Sequence, residues 1–243
     1  MSDSNMSDQF WKIVLVVLMG TLAMVLFTVA VVIVQSPLQN VLGRSLNSVF
    51  AISSVQALWY ITRAAGLVAY FLVWLSTAWG LAVTSKIFDP LLHRAFTYDM
   101  HQFISLLAIG FIFLHIAVLI GDRYLPFSVA DILLPFIDPY RPIWVGVGVI
   151  GLYLTMLVTV TFYIRKWIGQ KTFRLIHLAS FFAYAGVTVH GLMSGTDSPL
   201  WTVQLMYGGT ALVIVFLTIY WIMMTSLKKL ETPTFQNTIN SRR

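Results

Sequence analysis

The chain has 243 residues and five histidines, four of which lie near the ends of two apolar segments. His101 and His115 are 14 residues apart, and His177 and His190 are 13 residues apart. In helices, each spacing corresponds to roughly 20 Å along the axis. Neutral imidazole is a good ligand for heme iron, and its uncharged form is tolerated at membrane depth. The spacing therefore predicts two bis-histidine sites, one near each end of a helical bundle.

The composition indicates a membrane protein. Hydrophobic residues make up 58% of the sequence and charged residues 10%, which excludes an ordinary water-soluble domain. The absence of cysteine excludes disulfides, thiolate metal sites, iron–sulfur clusters and covalently attached c-type heme. The net charge of +6 does not indicate nucleic-acid binding, because the basic residues lie at the ends of apolar segments. We expect membrane lipid as a partner and no nucleic acid.

Six apolar segments are long enough to cross about 30 Å of hydrocarbon as helices. None contains an acidic residue. The sequence therefore predicts an all-α, polytopic membrane protein, a bundle of six transmembrane helices. The predicted spans are Trp11 to Val34, Tyr60 to Val83, Met100 to Ile120, Ile143 to Ile164, Leu175 to Met193 and Leu205 to Met224.

The distribution of basic residues predicts the orientation. Of the 15 Lys and Arg residues, the side opposite the termini has only Arg44, Arg63, Arg123 and Arg141. The positive-inside rule then places both termini in the cytoplasm of a multi-pass cell (plasma or inner) membrane protein. We divide the chain into a first helix with an external segment (1–56), a core (57–200), and a last helix with a short cytoplasmic tail (201–243). In the external segment from Gly121 to Pro142, the amphipathic run Phe127 to Ile137 is expected to cap the outer face.

The third and fifth spans run in the same direction, which pairs the histidines by depth. His101 is expected to face His177 near the cytoplasm, and His115 to face His190 near the outside. A spacing of 14 residues returns to nearly the same helix face, whereas 13 residues leave about 140° between the two side chains. The fifth helix is therefore predicted to bend, to bulge or to present its ligands at different azimuths, and Gly186 would permit such an adjustment.

Basic residues near the predicted sites are candidates for binding heme propionates. Arg63, and after it Arg141, are the candidates for the outer heme, with snorkelling of Arg63 to lipid headgroups as the alternative. Arg174 is a candidate for the inner heme, although the positive-inside orientation already accounts for it. Asp197, in the turn after His190, is a candidate for orienting a partner or binding a proton, with an exposed loop carboxylate as the simpler account.

Small residues provide a further pattern. Gly66, Gly110 and Gly186 are small enough for close approach by a flat macrocycle or by a neighbouring helix. The second and fourth spans also share a loose pattern, Gly66 to Tyr70 and Gly148 to Tyr153, which hints at a duplicated helical hairpin.

Several motifs resemble the ferric reductase-like transmembrane domain. They are Ile61 to Tyr70 (ITRAAGLVAY), the two histidine pairs, Pro139 to Gly146 (PYRPIWVG) and His190 to Ser198 (HGLMSGTDS). The similarity covers about residues 57 to 200, and the group includes NADPH oxidases, ferric reductases and the heme subunit of bacterial periplasmic methionine sulfoxide reductase. The resemblance implies a six-helix electron conduit with two b-type hemes, held by His101, His177, His115 and His190.

One departure from that group affects the expected function. Only about 19 residues follow Met224, and the sequence has no Gly-rich nucleotide-binding fingerprint. We therefore expect an electron-transfer subunit of an oxidoreductase that cannot itself take hydride from NAD(P)H. Its donor would be a separate flavoprotein, carrying FMN or FAD, or a quinol. Its acceptor would be an external redox protein or small molecule.

Two alternatives stay open at the level of sequence. In the first, the outer heme reduces ferric chelates or oxygen directly. In the second, the chain binds no heme, and the histidines serve the transport of a metal ion or of protons. Against the transporter, no predicted span contains an acidic residue or a cysteine to complete a metal site.

Overall fold

The computed structural model describes residues 57–240 except Arg123 and Pro126, together with residues 41, 44–46 and 48; side chains are described as far as Leu227. The predicted first span, Trp11 to Val34, lies outside the described residues.

Within the described residues the fold is helical, without strands. Five stretches are long and apolar enough to cross a membrane: Ala57–Thr84, Arg94–Gly121, Pro142–Ile168, Gln170–Ser194 and Trp201–Leu227. They correspond to five of the six predicted spans. The helices are α1 Ala57–Thr84, α2 Arg94–Gly121, α3 Val129–Leu133, α4 Pro142–Ile168, α5 Gln170–His177, α6 Ala179–Ser194 and α7 Trp201–Asn240.

The helices are longer than the predicted spans. For example, α2 begins at Arg94, six residues before the predicted start at Met100. The reason is that hydropathy detects the apolar middle of a membrane helix, whereas its polar end turns continue the same backbone hydrogen bonding beyond the hydrocarbon.

Two helical hairpins form the bundle. α1 packs mainly against α2, and α4 packs mainly against α6, while α1 also contacts α6 and α7. Between the hairpins lies an apolar cluster that includes Tyr70, Tyr184 and Tyr207. Large apolar side chains also cover the outside, such as Trp167 with 84% and Phe182 with 72% of their surface exposed. Such an outer surface suits contact with lipid.

The short helix α3 covers one end of the bundle. Ser128 Oγ accepts a hydrogen bond from Asp131 N at 3.1 Å, and Asp131 Oδ2 accepts one from Ser128 N at 2.8 Å, which forms a capping box. Phe127 and the buried residues of α3 pack against Leu119 of α2 and Val145 of α4. The predicted amphipathic run therefore does cap an end of the bundle.

The fifth span is broken at Leu178. Leu178 N donates to Leu175 O at 3.2 Å, and Phe181 N donates to Leu178 O at 3.2 Å, contacts three residues apart that tighten the turn. The predicted adjustment exists, but its expected place at Gly186 is wrong. α6 runs unbroken through Gly186, which packs closely against α4 near Val147 O.

Candidate functional site

The first histidine pair joins α2 to the end of α5. The ring centroids of His101 and His177 are 6.2 Å apart, with 74° between the ring planes. Two metal–nitrogen bonds of about 2 Å, with about 1 Å from each nitrogen to its ring centre, require a separation of about 6 Å. Nδ1 of each ring is buried without a hydrogen-bond partner among the described residues. The spacing fits a metal centre held between the two rings.

The second histidine pair lines a cavity of about 200 Å³. His115 Nδ1 donates to Thr62 O at 2.8 Å, and His190 Nδ1 donates to Trp144 O at 2.9 Å. A carbonyl only accepts hydrogen bonds, so Nδ1 must carry the proton and Nε2 keeps its lone pair. Backbone partners of this kind fix the orientation of metal-binding histidines.

Glycines in the facing helices make room for three of the four rings. A Cβ on Gly66 would lie 3.0 Å from His115 Nδ1, one on Gly80 would lie 3.1 Å from His101 Cε1, and one on Gly148 would lie 2.5 Å from His190 Nδ1. A side chain at these positions would displace the ring. By contrast, a Cβ on Gly110 would meet no described atom within 4 Å, so the expectation that a neighbouring helix approaches closely at Gly110 is wrong.

Sequence reasoning missed the role of Gly80. The signal was present, because Gly66 and Gly80 are 14 residues apart, the same spacing as His101 and His115. Since α1 and α2 form an antiparallel hairpin, equal spacings place each glycine beside one histidine.

His177 has different surroundings. Its ring centroid lies 5.2 Å from that of Phe173, and Phe173 lies 6.2 Å from Phe162 of α4. Phe162 follows Gly148 by 14 residues, so an aromatic side chain occupies the position that corresponds to a glycine.

Arg63 and Asp197 form an ion pair that also lines the cavity between His115 and His190. Arg63 Nε donates to Asp197 Oδ2 at 2.8 Å, and Arg63 Nη2 donates to Asp197 Oδ1. Asp197 retains only 19% of its side-chain exposure. The interpretation of Asp197 as a simple exposed loop carboxylate is therefore wrong: two hairpins meet through it.

The other two candidate arginines lie away from this cavity. Arg141 is exposed, donates through Nη1 to Met193 O and lies over the Tyr140 ring. It therefore binds the last turn of α6 and does not line the cavity. Arg174 is exposed in the last turn of α5, three residues before His177.

No family model, curated protein or solved structure matches the chain. In the part of the chain that the structure describes, no group of three or more His, Cys, Asp or Glu side chains could hold a metal ion. The site therefore rests on its own geometry, in which His101 faces His177 and His115 and His190 line one cavity.

Proposed function

We propose that this chain is a membrane-embedded, b-type di-heme cytochrome of the ferric reductase-like group, the electron-transfer subunit of an oxidoreductase. It would carry electrons from a cytoplasmic flavoprotein or quinol to an external acceptor. The observation that carries the proposal is the two-level arrangement: His101 faces His177, while His115 and His190 line one cavity. Bound heme would supply reversible one-electron chemistry at its iron.

Two histidines per site would be enough to hold this cofactor, because the porphyrin itself would supply the other nitrogen ligands of the iron. The Thr62 and Trp144 carbonyls hold the protons of His115 and His190 on Nδ1, which keeps Nε2 available as a ligand. Apolar side chains such as Val73, Ile112 and Leu119 also line the cavity. Arg63 lines that cavity and would meet a heme propionate there, whereas Arg141 is engaged with the end of α6.

The proposed direction of electron transfer follows from the distribution of basic residues. Lys166, Lys171 and Arg174 are exposed near the end of the bundle that holds His177, and the positive-inside rule favours the cytoplasm for that end. The proposed donor, a flavoprotein with FMN or FAD or a quinol in the cell membrane, would deliver electrons there. The acceptor would receive them near His115 and His190.

The first test is heme analysis of the full chain purified from membranes. We expect two b-type hemes per chain, measured as pyridine hemochrome against protein concentration. Reduced-minus-oxidised spectra would show a low-spin signal, since both axial positions are filled. A yield of fewer than two hemes after reconstitution with heme would overturn the di-heme proposal.

Single substitutions show which histidines hold each of the two hemes. His115→Ala and His190→Ala are each expected to remove one of the two hemes and to spare the other. The matched control is His93→Ala, because His93 is exposed and precedes α2, and it should retain both hemes. Equal loss of both hemes in a His115→Ala protein that stays folded would contradict the pairing.

The same preparation separates the alternative functions. Reduction of a ferric chelate or of oxygen by the chemically reduced chain alone would favour a direct reductase. Dependence on an added flavoprotein or quinol and an external acceptor would favour the electron-transfer subunit. Flux of a metal ion or protons through heme-free liposomes would favour a transporter.

A further inference from the structure

The ion pair between Arg63 and Asp197 connects the two hairpins at the cavity of His115 and His190. Arg63 belongs to α1, and Asp197 lies in the loop after α6, 134 residues later. Both side chains line the same cavity as the two histidines. They are partly buried, with 28% and 19% of their side-chain surfaces exposed. Charges in such an environment are less screened by water than charges on an open surface.

The backbone on both sides of the pair is tied to the histidines. Arg63 directly follows Thr62, whose carbonyl accepts the hydrogen bond from His115 Nδ1. On the other side, Gly195 N donates to Gly191 O at 3.0 Å, and Ser198 Oγ donates to the same oxygen at 2.8 Å. Gly191 is the residue after His190. The carboxylate and the guanidinium are therefore each held at a fixed place relative to one histidine.

The hydrogen-bond donors of Arg63 are only partly used by Asp197. A guanidinium has five N–H groups, and the contact with Asp197 uses Nε and one N–H of Nη2. The remaining N–H groups can serve an anionic group in the cavity. Asp197 thus fixes the orientation of Arg63 without using all of its hydrogen-bonding capacity.

We propose that Asp197 is a positioning residue for Arg63, and that the two opposite charges together set the reduction potential of the His115–His190 site. This inference rests on the proposed function. A nearby positive charge favours the reduced state of a redox centre and raises its potential, whereas a negative charge lowers it. Because the two charges lie side by side, their effects largely cancel in the native protein, and removal of one leaves the other acting alone.

The test is a redox titration of the purified holoprotein, with the potential of the His115–His190 site assigned by its loss in His115→Ala. Arg63→Gln is expected to lower that potential, and Asp197→Asn is expected to raise it. The double variant should shift it less than either single change. Asp197→Glu, which keeps the charge and the hydrogen-bonding groups, should stay close to native. The potential of the His101–His177 site, roughly 20 Å away, should not change.

The outcomes separate this inference from the function on which it rests. If the native chain binds no heme, the proposed function fails. If two hemes bind and both charge substitutions shift the assigned potential in the same direction, the cause is general damage to the site, and the inference is wrong. Equal potentials in all four variants would also overturn it.

Discussion

The two histidine levels of the bundle differ in how the chain supports them. At the level of His115 and His190, each ring donates through Nδ1 to a backbone carbonyl, that of Thr62 or of Trp144. Four residues after each carbonyl, a glycine faces the same ring: Gly66 beside His115 and Gly148 beside His190. The two hairpins thus repeat one local arrangement, in which a backbone carbonyl holds the imidazole and a glycine leaves room for it.

The level of His101 and His177 keeps only half of this arrangement. His101 has Gly80 beside it and the backbone of Ser76, four residues earlier, close to its ring. His177 instead packs against Phe173, which in turn packs against Phe162. Phe162 of α4 occupies the position that corresponds to Gly148, so a large ring takes the place of a glycine at this level. The fifth span breaks directly after His177. Among the described residues, neither Nδ1 at this level has a hydrogen-bond partner.

This difference indicates two ways of preparing a ligand site. Backbone hydrogen bonds preorganise the rings of His115 and His190 before any cofactor arrives. The ring of His101 has the backbone of Ser76 nearby and that of His177 is placed by packing, so a bound group would complete their orientation. We expect substitutions to have sharper consequences at the preorganised level, where a ring held by a carbonyl cannot move aside.

The largest effect is expected for Gly148→Leu. A Cβ at this position would lie 2.5 Å from His190 Nδ1 and 2.7 Å from Cγ, so the ring and its bond to Trp144 O must be displaced. We expect loss of one of the two hemes and destabilisation by about 1–3 kcal/mol from overpacking. Heme content and thermal unfolding in detergent measure the two effects.

The control for that change is Gly110→Leu, because Gly110 is exposed and a Cβ there would meet no described atom within 4 Å. This variant should keep both hemes. Retention of two hemes in Gly148→Leu would show that the close approach of Gly148 to His190 is not required.

A smaller and graded effect is expected for alanine at the other two glycines. A Cβ on Gly66 would lie 3.0 Å from His115 Nδ1, and one on Gly80 would lie 3.1 Å from His101 Cε1, so each ring must yield by a few tenths of an ångström. His115 is held by Thr62 O, whereas Nδ1 of His101 is unpaired among the described residues. We therefore expect Gly66→Ala to disturb the His115–His190 site more than Gly80→Ala disturbs the His101–His177 site.

Electron paramagnetic resonance of the oxidised protein measures how far each histidine site is disturbed, because the low-spin signals report the orientation of the imidazoles at each level. The overall stability should change little, because alanine gains about 1 kcal/mol over glycine in helix propensity and offsets part of the crowding. A larger disturbance in Gly80→Ala than in Gly66→Ala would contradict the distinction between the two levels.

The depths of the histidines could be predicted from the sequence, because the third and fifth spans run in the same direction and the rise per residue of a helix fixes the level of each side chain. The 13-residue spacing also predicted an adjustment in the fifth span. It did not locate that adjustment, since the spacing shows only that the two ligands are out of phase and the break lies at Leu178, directly after His177. The pairing of Arg63 with Asp197 was equally inaccessible: periodicity relates residues within one helix, and this contact joins a helix to a loop 134 residues away.

The smallest effect on the histidine sites is expected for Phe162→Leu, the counterpart of Gly148→Leu one level away in α4. Here a large side chain is already present, and Arg165 lies over its ring at 3.9 Å from the centroid. We expect both hemes to remain and the stability to fall by about 1 kcal/mol, from lost ring packing and the lost cation–π contact. Heme content and thermal unfolding are compared with those of Gly148→Leu in the same detergent. Loss of the His101–His177 heme would instead mean that Phe162, acting through Phe173, supports His177 as firmly as a carbonyl supports His190, and the contrast between the two levels would be wrong.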